Sequence, residues 1–263
     1  MAEFECELLS ARLSDLMREA ERGYVTHSSF LSPAEVLFAK KRKTPNAFFF
    51  GGYDGAEREI VFFLPEYLEA MTDNFSDTAK IKELISDTLA EGIKTVRITG
   101  SGYKKLSHRD YLGALLNLGT ERSAFGDVCV TGDSTAVVFA TPHVASLVKD
   151  SLEKVGSDKV KVEIMGSEFV FSFERKLSAI GDTVASDRFD CVVASLCRKS
   201  RRDAKELILG GLAELNYSVC QKTDAAVSAG DTVSVRGFGK FVIKNITDET
   251  KKGRLRLEAG KYI

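Results

Sequence analysis

The sequence predicts an α+β protein of three small domains, and three observations carry that prediction. Apolar residues recur at helical spacing in some segments and gather in short β-branched and aromatic runs in others. Gly, Pro or a capping Ser stands at nearly every switch between the two. The middle of the chain follows the order strand–helix–strand–strand–helix–strand, a ferredoxin-like βαββαβ arrangement of four strands under two helices. A length of 263 residues, 44% of them hydrophobic and 29% charged, suffices for several buried cores and argues against long disorder.

The first domain is expected over residues 1–78. Leu8, Leu9, Leu13, Leu16 and Met17 mark a helix from about Glu5 to Arg22. A second helix opens at FLSPAEVLFAKK, where Ser32 can cap, Pro33 suits the first helical position and Glu35 can complete a capping box. AFFFGGYDGAEREIVFFLP then reads as two strands around a glycine-rich turn, and the domain is expected to end near Phe75.

The second domain, residues 79–168, holds the βαββαβ pattern. KTVRITG is its first strand, and Ser107 caps the helix SHRDYLGALLNLG with Asp110 three residues on. GDVCVTGD and STAVVFATP are the paired middle strands, HVASLVKDSLEKVG the second helix and KVKVEIM the last strand. The common RNA-recognition module shares this fold, but it stacks bases on exposed aromatics of its two central strands. TVRITG has none and TAVVFATP has only Phe139, so this sheet is not expected to be a standard base-stacking platform.

SEFVFSFER is read as a strand leading to the third domain, residues 182–263. There SDRFDCVVASLC and SRRDAKELILGG are two short helices. LAELN, TVSVRGFG, FVIKNI and a closing strand near GRLRLEA follow them.

Charge and motifs limit the chemistry. The net charge of -1 hides a basic end: residues 186–263 carry 15 Lys+Arg against 10 Asp+Glu, leaving 22 against 28 elsewhere. That imbalance suggests a polyanion partner for the C-terminal module. Five scattered cysteines contain no C-x-x-C pair, and His27, His108 and His143 lack metal-ligand spacing, so no metal, cofactor or disulfide frame is expected. No P-loop, G-x-S-x-G or H-E-x-x-H motif occurs, and no catalytic residue is nominated. GSGYKK, residues 100–105, lacks the third glycine of a dinucleotide fingerprint and reads as a plain turn. No apolar run approaches the ~20 residues of a membrane span, and the acidic N-terminus resembles no leader peptide. These features lead to the expectation of a cytoplasmic protein.

The candidate site lies in SRRDAKELILGGLAELN. Ser200 caps a helix whose buried stripe is Ala204, Leu207 and Ile208. Arg198, Lys199, Arg201, Arg202 and Lys205 gather round its N-terminus, where cations oppose the helix dipole while free N–H groups favour anions. Either the basic residues form an ordinary solvated face, or the local penalty reflects a phosphate-binding surface. In RGFGKFVI, Phe238 and Phe241 are read as packing residues, because Lys240 shifts the second aromatic to the other strand face. Arg236 and Lys240 then become candidate phosphate contacts.

Arg188-Phe189-Asp190, Ser200-Arg201, Ala204, Ile208, Gly211 to Asn216 and Gly230-Asp231 together resemble the S4-type RNA-binding domain. The sequence departs from that pattern at Glu214 and at Tyr217, where such domains often have a turn glycine. THSSFLSPAE, GGYDGAERE, LSHRDYLGALLNLG and FGDV extend the resemblance over nearly the whole chain, to the bacterial YlmH family. The resemblance implies a ferredoxin-like RNA-binding domain over residues 79–168, a C-terminal S4-type αL fold and a non-catalytic protein that binds rRNA of the large ribosomal subunit, with tRNA as a second RNA partner. It also implies a role in rescue of stalled translation, with a link to cell division through genome neighbourhood. It assigns RNA contact to Arg188, Lys199, Ser200, Arg201, Arg202, Lys205 and Lys222. The competing readings are an RNA-modifying enzyme of pseudouridine synthase or methyltransferase type and a cell-division adaptor.

Overall fold

In the computed structural model, residues 3–42, 44, 46–71, 77–166, 168–247 and 253–263 are described. The chain forms two compact units, Met1–Phe173 and Glu174–Ile263. Among the described residues no helix is long and apolar enough to cross a membrane.

The first unit begins with α1 (Glu3–Ala20), β1 (Thr26–His27), α2 (Pro33–Lys41), β2 (Ala47–Phe50) and β3 (Ile60–Phe63). The Ser32 hydroxyl accepts from the Glu35 N–H, and the Glu35 carboxylate accepts from the Ser32 N–H, giving α2 the expected capping box. β2 and β3 pair antiparallel, and β1 takes the other side of β3. All four residues of β3 are buried because Val61 and Phe63 pack with α1 and α2 while Ile60 and Phe62 face the opposite cluster. α3 (Thr78–Leu84) and α4 (Ser86–Gly92) follow residues 72–76. The expected domain end near Phe75 lies outside the described residues.

β4 (Lys94–Gly100), α5 (His108–Leu116), β5 (Phe125–Val130), β6 (Thr135–Ala140), α6 (Pro142–Ser151), β7 (Lys154–Val155) and β8 (Asp158–Ile164) complete the βαββαβ core. The sheet order is β5-β6-β4-β8-β7, all antiparallel, which is the ferredoxin-like arrangement with a short hairpin strand added. Strand alternation divides its two faces. Val96, Ile98, Val128, Ala136 and Val138 meet the helices; Cys129, Val137 and Phe139 point the other way.

That second face joins the first two predicted domains into one unit. Cys129, Val137 and Phe139 share a core with Phe30, Phe48, Tyr53 and Phe62 of the N-terminal layer. Phe139 is fully buried, its ring 5.2 Å from that of Tyr53. Gly52, at φ +99°, lies flat against it, and a Cβ there would meet the Phe139 ring at 2.1 Å. Asp127 ties the layers further, accepting from the Tyr53 hydroxyl and from the Glu57 and Arg58 N–H groups. The buried Arg58 guanidinium in turn donates to the carbonyls of Phe30, Arg122 and Phe125.

The strand expected over residues 167–175 does not form. Ser167 lies outside the described residues, and residues 168–176 carry no ladder. Phe169, Phe171 and Phe173 instead line up on one side of an extended segment, and Phe171 and Phe173 meet the Tyr53 ring edge-on. Alternate aromatics have the period of a strand without a strand partner.

The second unit has β9 (Leu177–Val184), α7 (Phe189–Cys197), α8 (Arg201–Leu209), β10 (Ala213–Leu215), β11 (Ser218–Val219), β12 (Thr232–Val235), β13 (Gly239–Asn245) and β14 (Leu255–Tyr262). The sheet order is β11-β10-β12-β13-β14-β9. Phe189, Val192, Val193, Ala204, Ile208, Val233, Phe241, Ile243 and Leu257 form its core. Phe241 packs as expected and Phe238 adds a partly buried contact.

Candidate nucleic-acid interface

α7 and α8 meet at a tight corner. α7 closes on Arg198 in the left-handed conformation, φ 51° and ψ 48°, and the Ser200 hydroxyl accepts from the Asp203 N–H to start α8. Ala204 and Ile208 are fully buried and Leu207 is partly so, which fixes which side of α8 remains outside. Three residues, Arg198, Lys199 and Ser200, lie between the two helices, so the cations of the corner are crowded by backbone geometry.

At the centre of this cluster is the acid of the Arg188-Phe189-Asp190 motif, a residue that charge and periodicity do not single out. Asp190, in the first turn of α7, is completely buried, and its N–H donates to the Thr223 carbonyl at 2.9 Å. Its carboxylate accepts from Arg188 at 3.3 and 3.4 Å and from Arg201 at 3.1 and 3.3 Å, and the Lys205 ammonium stands 3.7 Å away. Burial alone would raise its pKa, but the hydrogen bonds from Arg188 and Arg201 outweigh that and hold it below the ordinary aspartate value. Arg188, with its hydrogen bond to Asp190, is held above the usual guanidinium value.

The predicted residues therefore separate by environment. Arg188, Arg201 and Lys205 are bound to Asp190 while keeping 38%, 50% and 46% of their side-chain surface exposed. Arg202, 88% exposed, reaches Glu206 one turn on at 3.2 Å. Arg198, Lys199 and Ser200 are exposed. Lys222 is exposed one residue before Thr223, whose carbonyl takes the Asp190 N–H, and so belongs to the same neighbourhood. Arg236 is exposed too, but its N–H bonds the Leu212 carbonyl just past the far end of α8. A nine-residue helix puts it about 12 Å along the axis from Arg201. Arg236 is not part of the corner.

Two further motif residues have structural roles. Asn216 and Tyr217, at φ 51° and 64°, make the two-residue turn between β10 and β11. The Asn216 amide donates to Asp231 at 2.8 Å and its oxygen accepts from the Thr232 N–H at 3.0 Å, locking the turn to the start of β12. The Lys240 ammonium sits between the rings of Tyr217 and Tyr262, 4.8 and 4.7 Å from their centroids. Glu214 occupies β10 opposite Ser234 and Val219. Among the described residues, no group of three or more His, Cys, Asp and Glu side chains could hold a metal ion.

Comparison with known proteins identifies the family. A family model described as "Putative RNA-binding domain in YlmH" matches residues 92–168. The chain is 31% identical over 209 residues to "Ribosome-associated protein quality control protein P2" of Bacillus subtilis (strain 168), covering 80% of this chain and 75% of that one. Among solved structures, "Cell division protein ylmH from Streptococcus pneumoniae" aligns with a TM-score of 0.44 at 21% identity, over 65% of this chain and 98% of that one. By the extent of the match to its Bacillus subtilis relative and the family model on its central sheet, the chain belongs to the YlmH family.

Proposed function

We propose that this protein is a non-catalytic RNA-binding factor that associates with the large ribosomal subunit and acts in rescue of stalled translation. The observation that carries the reading is the α7–α8 corner: one buried carboxylate organises Arg188, Arg201 and Lys205, with Arg198, Lys199 and Arg202 around them. The six cations outnumber the acids set among them, Asp190, Asp203 and Glu206, and leave a surplus that a phosphate backbone can neutralise. Partners held in fixed positions also give shape selectivity, which is how folded RNA is mostly distinguished. The name of the Bacillus subtilis relative, a ribosome-associated quality control protein, supports the ribosomal setting. rRNA is the primary partner in this reading, with tRNA as a second one.

The test is gradient sedimentation of lysate containing the full chain, wild type or with Arg198→Glu, Lys199→Glu and Arg202→Glu together. These three side chains are exposed and are not tied to Asp190, so the variant keeps its fold. Wild type should travel with large subunits at low salt and leave them at high salt, and the variant should remain at the top at both. Unchanged co-sedimentation of the variant would overturn the proposal.

A further inference from the structure

The central sheet has a face that the N-terminal layer covers only in part. Phe139, Val137 and Cys129 occupy the β5–β6 half and are buried under Tyr53 and its neighbours. On the β4–β8–β7 half the same face carries Arg97, Lys154, Lys159 and Lys161. Their alternation with Val160 and Val162, which pack toward the helices, places these cations on the outer side.

Two local choices there are poor design for folding alone. Lys154 lies directly across from Lys159 in the short β7–β8 hairpin, and like charges in that position destabilise a strand pair. Tyr103, between β4 and α5, is 95% exposed, an unusual position for a large aromatic. Yet the loop that presents it is firmly braced. Asp158, 7% exposed, accepts from the Ser101 N–H at 3.0 Å and from the Ser101 hydroxyl. Leu106 and Gly100 donate to the Asp133 and Ser134 carbonyls, and the Lys104 ammonium reaches Ser157 at the hairpin turn. Gly100 leaves room for this bracing, since a Cβ there would meet the Asp158 carboxylate at 2.6 Å and displace it. The acids nearby cancel only part of the charge: Glu163 pairs with Lys161 and lies across from Arg97, Asp133 faces Lys105 at 3.6 Å, and Glu153 is exposed just before the hairpin, which leaves Lys104, Lys154 and Lys159.

We propose that this half-face is a second RNA-binding surface, which takes an unpaired stretch of RNA, with Tyr103 stacking on a base and Lys104, Lys154 and Lys159 on phosphates. An exposed ring on a braced loop, one residue from a lysine that reaches the β7–β8 turn, is an arrangement by which single strands are gripped without sequence preference. It also explains how a sheet whose usual base-stacking face is half buried can still bind RNA: the aromatic comes from the loop after β4, not from a strand. The inference rests on the RNA-binding reading above and on the RNA-binding description of the family model over residues 92–168; what it adds is the class of RNA and the surface that holds it.

The experiment measures binding of the full chain by fluorescence anisotropy to a labelled RNA hairpin, and to the same hairpin with an oligouridine tail of about ten nucleotides. Wild type should bind the tailed RNA more tightly. Tyr103→Ala should lose about tenfold on the tailed RNA and nothing on the hairpin, and Tyr103→Phe should restore the loss. Lys154→Glu replaces a like-charge pair by an opposite-charge pair, so its melting temperature should hold or rise while tail binding weakens severalfold. Equal affinity of Tyr103→Ala and wild type for the tailed RNA overturns the inference, as does a loss that phenylalanine fails to restore. If wild type binds neither RNA, the underlying reading fails as well. If Arg198→Glu with Lys199→Glu weakens hairpin binding while both central-sheet variants behave as wild type, only this inference fails.

Discussion

Replacing Asp190 by asparagine tests the organisation of the α7–α8 corner most directly. The change keeps the side chain's shape and removes the one charge that Arg188, Arg201 and Lys205 share. Removing one member of a fully buried ion pair costs about 3–5 kcal/mol, because its partner is left uncompensated. Here the cations retain 38–50% of their side-chain exposure and can turn toward water. That relief reduces the expected loss to about 1.5–3 kcal/mol. For a unit this small each kcal/mol moves the melting midpoint by about 4–8 °C, so the C-terminal transition should fall by roughly 10 °C. The pH dependence gives an independent check. Asp190 has a folded pKa below its unfolded one, near ~3.9, so its stabilisation is complete above that value. It is lost as pH falls through the folded pKa, where both states become protonated. The deficit of the variant should therefore be constant from about pH 8 to 5 and shrink at about pH 3. Thermal melts followed by circular dichroism across that range measure both quantities. A midpoint within about 2 °C of wild type at neutral pH, or a deficit undiminished at low pH, would refute the reasoning.

Three other outcomes follow from the same geometry. Tyr217→Gly exchanges a strained left-handed tyrosine for the residue best suited to a two-residue hairpin, at the cost of one cation–π contact with Lys240; stability in urea should change by less than about 1 kcal/mol, and a loss above about 2 would show that the contact dominates. Cys129, Cys191 and Cys197 are buried, and burial pushes the Cys197 thiol up to about 11, so brief alkylation at neutral pH followed by mass spectrometry should label Cys6 and Cys220 first. Rapid labelling of Cys197 in the folded protein would contradict its place in the core. If about five cations meet phosphates at the corner, the log–log salt slope of hairpin-RNA binding should lie near -3.5 to -4.5, and Arg198→Glu with Lys199→Glu should flatten it by about 2.

What could be read from the sequence depended on how far apart the interacting residues are. The capping boxes at Ser32 and Ser107 are contained within four residues, and both form. The βαββαβ order and its sheet arrangement also emerge as expected, because each turn carries its own signal. The joining of the first two predicted domains could not be read that way, since Gly52 and Tyr53 meet Phe139 across a long sequence separation. The segment Phe169–Phe173 misleads for a related reason: its alternation is real, but it serves ring packing against Tyr53 and not a ladder. Asp190 belongs to a quoted motif, but its role is not legible there, because an acid in a helix's first turn is already accounted for by the dipole. Only the fold shows that it is buried and shared.

That shared carboxylate changes what the basic start of α8 means. Cations in a first turn oppose the dipole by about 0.3–1 kcal/mol each, which from the sequence pointed to an outside anion. For Arg201 and Lys205, however, an anion is already present within the protein. Their unfavourable placement is offset by Asp190, so on its own it is not a signature of RNA. Of the other cations, Arg202 lies in the first turn of α8 and meets the exposed Glu206, while Arg198 caps the C-terminus of α7, an end that favours positive charge; neither these two nor Lys199 is tied to Asp190. The two groups should accordingly respond differently to charge removal. Neutralising Arg198 or Lys199 should weaken RNA binding and leave the melting temperature alone. Neutralising Arg201 should lower both, because it removes a phosphate contact and half-dismantles the array that positions the others. An Arg201→Gln protein with wild-type stability and weakened RNA binding would place Arg201 with the free cations and deny Asp190 its organising role.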